Sequence, residues 1–262
     1  MIDIHNHIIF DVDDGAKTLD ESINMITMAK REGINAIIAT SHFIPGRFDK
    51  SQEVHKEKLE IISKELEKRG EKIPLFLGRE ILFHSSFFKN YEILRTLTLA
   101  SSRYLLVEFF HHEIPNNFSE FIYELKIRGL VPIIAHAERF IHSEKDFKKI
   151  AKLYLEGALI QVTINSIIGT FGPDARIWME KLLELNMVQF LASDAHKESG
   201  KRSYEVTKAL VAINKLISSE KVELLTKINP QKILSNEVVK KEELNVLLLD
   251  GEKKRKRLFG IL

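Results

Sequence analysis

Residues 118–139 read FSEFIYELKIRGLVPIIAHAER, and this stretch decides the architecture. A helical pattern over 118–128 stops at Gly129. A short apolar run over 131–135 follows, with the length and composition of a buried strand, and His136 stands at its end. The same unit recurs in both directions. Apolar runs at 2–4, 36–39, 74–78, 105–108, 159–162 and 188–192 alternate with helical patterns at 19–32, 51–69, 90–99, 144–155, 174–186 and 202–217. Thr18 and Glu21 form a capping box for the first helix, whose apolar face is Leu19, Ile23, Ile26 and Ala29, with Gly33 as its stop. Seven strand–helix units without an internal repeat or linker predict one α/β domain over 1–262.

A closed parallel barrel and an open doubly wound sheet both satisfy that alternation. The placement of polar residues separates them. A barrel gathers its chemistry at the C-terminal ends of many strands, an open sheet at one switch point. Here the first run leads into His5 and His7, the second into His42, the third into Glu80 and the fourth into Glu108. The fifth leads into His136, and the seventh into Asp194 and His196. Neither a P-loop nor a dinucleotide fingerprint follows the first strand. The pattern predicts a barrel.

Composition removes whole classes of function. With no cysteine, thiolate zinc sites, iron–sulfur clusters, disulfides and a cysteine nucleophile are all excluded. No apolar run is long enough to span a bilayer, and Met1-Ile2-Asp3-Ile4-His5 is too acidic for a signal peptide, so the cytoplasm is the expected compartment. Lys and Arg number 39 against 37 Asp and Glu, a net of +2. Five of the bases lie at 253–257, inside a basic tail over 251–262, and without them 34 face 37, a net of −3. A mildly acidic body argues against a nucleic-acid surface, while the tail allows proximity to anionic lipid or an acidic partner.

The polar strand ends carry metal-binding chemistry. His5 and His7, two apart, can grip one ion if they lie on a strand, and Asp194 and His196 repeat that spacing. Asp11, Asp13 and Asp14 crowd three carboxylates ahead of the first helix, with Asp14-Gly15 as a turn signal. Glu80 is suited to bridge two ions, although Arg79 beside it offers an ordinary ion pair. Five histidines and four carboxylates, counting Asp14, exceed the needs of one ion and point to two or three. Mixed nitrogen and oxygen ligation without sulfur suits Mn, Fe, Zn or Co.

These motifs, in this order, resemble the polymerase-and-histidinol-phosphatase (PHP) superfamily. Met1–His7, Val12-Asp13-Asp14-Gly15, Glu108-Phe109, His136-x-Glu138-Arg139 and Ser193-Asp194-Ala195-His196 resemble more closely its bacterial manganese-dependent protein-tyrosine phosphatases, the capsule and exopolysaccharide regulatory type. The resemblance runs to Asn229-Pro230 and the basic tail. It implies a distorted TIM-like (β/α)7 barrel with a trinuclear centre. His5, His7, Glu80 and Asp194 would hold one ion; Glu80, Glu108 and His136 a second; Asp14, His42 and His196 a third. Manganese is favoured, with Fe, Zn and Co as alternatives. Arg139 and Arg202 would bind phosphate oxygens. Asn6, Ser41, Phe43 and Ala137 depart from residues common in that family.

The implied activity is phosphoric monoester hydrolysis of phosphotyrosine, with the tail of a bacterial exopolysaccharide tyrosine kinase as substrate and metal-activated hydroxide attacking phosphorus. His42 or His196 would assist the leaving group through a bound water. Phe109, Phe110, His111 and His112 could stack beside a phenyl ring or simply pack their loop, and Arg47 and Arg103 could steer an acidic tail. A small-molecule phosphatase for histidinol phosphate or a sugar phosphate is the alternative, and a metal-dependent DNA exonuclease a more distant one.

Overall fold

The computed structural model describes residues 1–110 and 113–245. Its strands are β1 (Ile2–Asp3), β2 (Ala36–Ala39), β3 (His42–Phe43), β4 (Leu75–Leu77), β5 (Glu80–Leu82), β6 (Tyr104–Glu108), β7 (Val131–Ile134), β8 (Leu159–Thr163) and β9 (Phe190–Ala192). All pair in parallel, in the orders β1-β2-β4 and β3-β5-β6-β7-β8-β9. These two sheets are halves of one surface. β2 runs into β3 across Thr40-Ser41, and β4 runs into β5 across Gly78-Arg79. The ring is joined at its C-terminal rim by a parallel bridge between Asn6 and Ala195, where His7 N and Asp194 N donate to Ala195 O and His5 O, each at 2.8 Å. The result is a distorted barrel of seven strand paths, as the alternation predicts.

Side-chain alternation along the strands sorts the apolar residues into two sets. Ile38, Leu106, Ile133, Leu159, Phe190 and Ala192 pack with Ile2 and Ile4 in a buried interior cluster. Ile37, Leu105, Val107, Ile134, Ile160 and Leu191 face the other way and pack with helical side chains. Two residues further along the interior face, Leu106 gives way to Glu108 and Leu159 to Gln161. The barrel is thus filled with hydrocarbon below and polar groups above.

The surrounding helices include α1 (Leu19–Arg31), α2 (Gln52–Lys68), α3 (Glu92–Thr96), α4 (Phe118–Ile127), α5 (Glu144–Glu156), α6 (Pro173–Glu184) and α7 (Val206–Ile213). Thr18 caps α1 by accepting from Glu21 N at 3.2 Å, and Glu21 reaches back to Lys17 N at 2.7 Å. Ile23, Ile26 and Ala29 are buried as the apolar face predicts.

Three expectations change. The run at 74–78 holds one short strand, β4, and a second, β5, follows after Gly78-Arg79; at the break Gly78 presses against its neighbours, where a Cβ would lie 2.7 Å from Leu99 Cδ2 and 3.1 Å from Leu99 Cα. The helix expected over 90–99 ends at Thr96, and left-handed Ala100 and Ser101 carry the chain to β6. The helix expected over 202–217 begins only at Val206, leaving a loop that carries Arg202. Beyond it come α8 (Ser219–Glu223), a π-helical turn and α9 (Asn229–Leu234), which contains Asn229-Pro230. His111, His112 and the basic tail lie outside the described residues. Among those described, no helix is long and apolar enough to cross a membrane.

Candidate metal centre

All nine donors named from the sequence meet at the C-terminal rim. Glu80, fully buried, is the hub. His5 Nε2, His7 Nε2, His42 Nδ1 and His136 Nε2 lie 3.1, 3.2, 3.0 and 2.8 Å from its carboxylate oxygens. His42 Nδ1 is also 3.0 Å from Glu108, and His136 Nε2 is 3.8 Å from it. On the other side, Asp14 Oδ1 lies 3.3 Å from both His42 Nε2 and His196 Nε2. Asp194 Oδ1 lies 3.4 Å from His5 Nε2 and from His196 Nδ1.

The donors fall into three groups: His5, His7, Glu80 and Asp194; His7, Asp14, His42 and His196; and His42, Glu80 and Glu108 with His136 alongside. The first matches the set implied by resemblance. His7 and His42 are shared more widely than that set required.

The donor set fits divalent cations. His42 Nδ1, Glu80 Oε2 and Asp194 Oδ1 are buried and make no hydrogen bond, although other donor atoms lie within 3.4 Å of each. Lone pairs that converge without pairing are arranged for a common ion. The electrostatics agree. Burial pushes the Glu108 carboxyl up and the neighbouring Glu80 charge adds to this, a repulsion that a cation relieves. Burial, then the Arg139 charge, brings His136 down to about 3; burial and His7 bring His196 down to about 4. Both imidazoles are therefore neutral, as ligands must be.

Local chain geometry explains why these residues meet. His5 and His7 lie beyond β1, and the Asn6–Ala195 bridge, rather than a continuous strand, turns both rings inward. Asp194 has φ +52°, so its convergence with His196 comes from a left-handed residue and not from strand alternation. In the Asp-Asp-Gly segment the carboxylates divide their work. Asp14 points at the centre. Asp13 is buried and accepts from His7 Nδ1 at 2.7 Å, His42 N at 2.9 Å and Gly15 N at 2.9 Å. It thereby fixes the His7 tautomer with Nε2 toward Glu80 and Asp194. Burial alone would lower His7, but the Asp13 charge and hydrogen bond overcome this and raise it to about 10, so His7, unlike His136 and His196, must release a proton to become a ligand. Gly15 folds over His7 so closely that a Cβ would sit 2.2 Å from His7 O. Asp11 faces outward to Lys50 and Lys58.

Two supporting residues besides Asp13 are not evident from the sequence. Gln161 Oε1 accepts from His5 Nδ1 at 3.0 Å and from His136 N at 2.8 Å. It is the contribution of the sixth strand path, which had seemed to lack one. Its signal was a lone polar residue inside an apolar run. Arg79 does not pair with Glu80. It turns the opposite way and donates to Ser41 O, His42 O and Lys50 O at 3.0, 2.6 and 3.1 Å, tying the chain around His42 to the strand that bears Glu80.

A cavity of about 220 Å³ opens over the donors, lined among others by His42, Glu108, His136, Phe109, Arg139 and Arg202. Arg139 Nη2 donates to Asp194 Oδ2 at 2.5 Å, and Arg202 Nη1 to Asp14 Oδ2 at 3.1 Å, so both guanidiniums face the cavity. Phe109 is buried against Phe118 and Phe140, as loop packing requires, whereas Phe110 is exposed. Arg103 binds Asn236, at the start of β6 and far along the chain path from the rim, which removes it from any steering role.

Comparison with known proteins supplies a second line. The family model for capsular polysaccharide synthesis, CpsB/CapC, matches residues 1–235. The chain is 34% identical over 263 residues to the putative tyrosine-protein phosphatase CapC of Staphylococcus aureus, covering 100% of both. A solved structure from work on YwqE of Bacillus subtilis and CpsB of Streptococcus pneumoniae, described as unique metal-dependent tyrosine phosphatases, superposes with a TM-score of 0.86. It is 30% identical and covers 93% of this chain and 98% of its own. Histidinol phosphate phosphatase from Lactococcus lactis, at 13% identity and a TM-score of 0.53 over 86% of this chain and 94% of its own, shares the fold alone.

Proposed function

The chain belongs to the CpsB/CapC family, and from that premise we propose that it is a metal-dependent protein-tyrosine phosphatase acting on the phosphotyrosine tail of a bacterial exopolysaccharide tyrosine kinase in the cytoplasm. The observation that carries this reading is the convergence of nine nitrogen and oxygen donors beneath a cavity that two arginines line. His5, His7, Glu80 and Asp194 would hold one ion; Glu80, Glu108 and His136, with His42 at their edge, a second; Asp14, His42 and His196 a third. Manganese is favoured. When bound, clustered divalent ions supply Lewis acidity that brings the pKa of water toward neutrality and offsets phosphoryl charge.

The chain's own residues complete the chemistry. Arg139 and Arg202 orient the phosphate by charge-assisted hydrogen bonds and stabilise its equatorial oxygens as the P–O bond to the phenol breaks. Asp13 and Gln161 keep His7 and His5 in the tautomer whose Nε2 faces the ions. Tyrosinate, with a parent pKa near 10, leaves with little general-acid help. Any proton it needs would come through a water beside His42, which lines the cavity, rather than beside His196, which is more deeply buried.

One preparation assayed on a phosphotyrosine peptide, histidinol phosphate and a dinucleotide, with Mn²⁺ and after chelation, tests the proposal. Peptide dephosphorylation that chelation abolishes is expected. Rapid turnover of either alternative without peptide hydrolysis would overturn it.

A further inference from the structure

The turn over residues 44–48 stands where the metal cavity meets the surface. Ile44 N donates to Phe48 O at 3.0 Å, and Arg47 N and Phe48 N both donate to Ile44 O at 2.9 Å. Gly46 takes the φ of +78° that the turn after Pro45 needs. Buried Arg79 donates to Phe48 O at 3.4 Å and to Lys50 O at 3.1 Å, holding the outgoing limb from inside. The Phe48 ring is laid against the His42 imidazole, centroids 5.9 Å apart and planes 13° apart. The Arg47 guanidinium covers the Phe48 ring at 4.8 Å.

His42 lines the cavity over the donors, and exposure rises along the contacts from His42 to Phe48 to Arg47. Arg47 is exposed, and no carboxylate of the described residues lies within 4.0 Å of it. Of the nearby charges, Lys50 and Lys58 pair with Asp11, while the Asp49 carboxylate turns back to accept from Gly46 N at 2.9 Å.

Resting on the phosphatase reading above, we propose that Phe48 and Arg47 form a peptide-recognition step outside the metal cavity. With His42 stacked on it and Arg47 over it, Phe48 offers its edge to the phenyl ring of the phosphotyrosine. Arg47 pairs with a second negative charge on the substrate peptide beside the phosphotyrosine. A guanidinium lying over a ring keeps its N–H edge free for a carboxylate or a second phosphate, and its aromatic support limits the entropy lost on pairing. A small phosphomonoester does not extend to Arg47.

The test is steady-state kinetics of the full Mn²⁺-loaded chain and of R47A, R47E and F48L. The substrates are a phosphotyrosine peptide with flanking Glu, the same peptide with Gln, one with a second phosphotyrosine, and p-nitrophenyl phosphate. For R47A, KM on the anionic peptides rises about 5-fold, and for R47E about 10-fold, shrinking as salt is raised. The Gln peptide and p-nitrophenyl phosphate change by less than about 2-fold at Arg47, and F48L raises KM on every peptide. The stronger response of the Glu or the doubly phosphorylated peptide identifies the anion. Equal losses on all four substrates from the Arg47 variants, no change on either anionic peptide from them, or unchanged KM on every substrate from F48L, overturn the inference while leaving the phosphatase reading intact. If the wild-type chain hydrolyses no phosphotyrosine peptide, both fall.

Discussion

Replacing Asp13 by Asn separates the two services its carboxylate performs for the centre. Asp13 accepts three hydrogen bonds, two at Oδ2 from His7 Nδ1 and His42 N and one at Oδ1 from Gly15 N. An asparagine has one carbonyl oxygen. Turned to serve His7 and His42, it sets its NH₂ against the Gly15 N–H. One charge-assisted bond, worth about 1.5–3 kcal/mol, is lost, and the two that remain weaken to neutral strength. The His7 tautomer survives, but the ring loses the charge that raises its basicity. Loss of such an outer partner lowers metal affinity by roughly 10–100-fold. Asp13→Ala, which also releases the tautomer, should lose about 100-fold or more, at or beyond the upper end of that range. The assay is competition between the protein and a calibrated chelator for Mn²⁺, read beside thermal unfolding with and without metal. If Asp13→Asn lowers the unfolding temperature yet leaves metal affinity within about 2-fold of wild type, a factor smaller than any outer-partner effect, Asp13 only supports the loop and the reasoning fails.

Two further perturbations probe the packing around the site. Gly15→Ala forces a methyl to 2.2 Å from His7 O and 2.5 Å from His7 Cβ, so the segment must lift off His7. A stability loss of about 3 kcal/mol or more, with metal binding weakened in step, is expected in denaturant unfolding and metal titration; a wild-type midpoint would contradict the close approach. Burial, then the Arg79 charge, lowers His55 to about 4. The unfolded chain takes up a proton near 6.5, so stability is lost as pH falls from 6.5 toward 4, by roughly 3 kcal/mol at most. His55→Gln should flatten the pH dependence of unfolding in that window by nearly one proton; an unchanged slope would show that His55 is not held neutral.

Much of this was legible in the sequence because a βα barrel writes its chemistry at strand ends. Glu108 and His136 follow apolar runs too short to be helices, and both face the cavity. What stayed hidden depends on which way a side chain turns off the strands. Among Asp11, Asp13 and Asp14, spacing cannot say which points inward; Lys50 and Lys58 draw Asp11 to the surface, while His7 buries Asp13. Arg79 and Glu80 read as a pair, yet adjacent residues on an extended chain face opposite sides, and backbone carbonyls rather than a carboxylate satisfy the guanidinium. His5 and His7 were matched by spacing to a strand they do not occupy, and the bridge that replaces it joins residues far apart in sequence. Gln161, an amide inside an apolar run, could only be assigned once His5 and His136 were seen on either side of it.

The central claim is that one carboxylate, Glu80, joins two of the metal groups. Replacing it by Gln removes a single charge from among four imidazoles that lie 2.8–3.2 Å from its oxygens. Metal content per chain, measured by elemental analysis after dialysis and paired with phosphotyrosine-peptide turnover, tests the claim. Glu80→Gln is expected to lose more than one equivalent of metal and at least about 100-fold in turnover. A variant that keeps its full metal content and activity would contradict it.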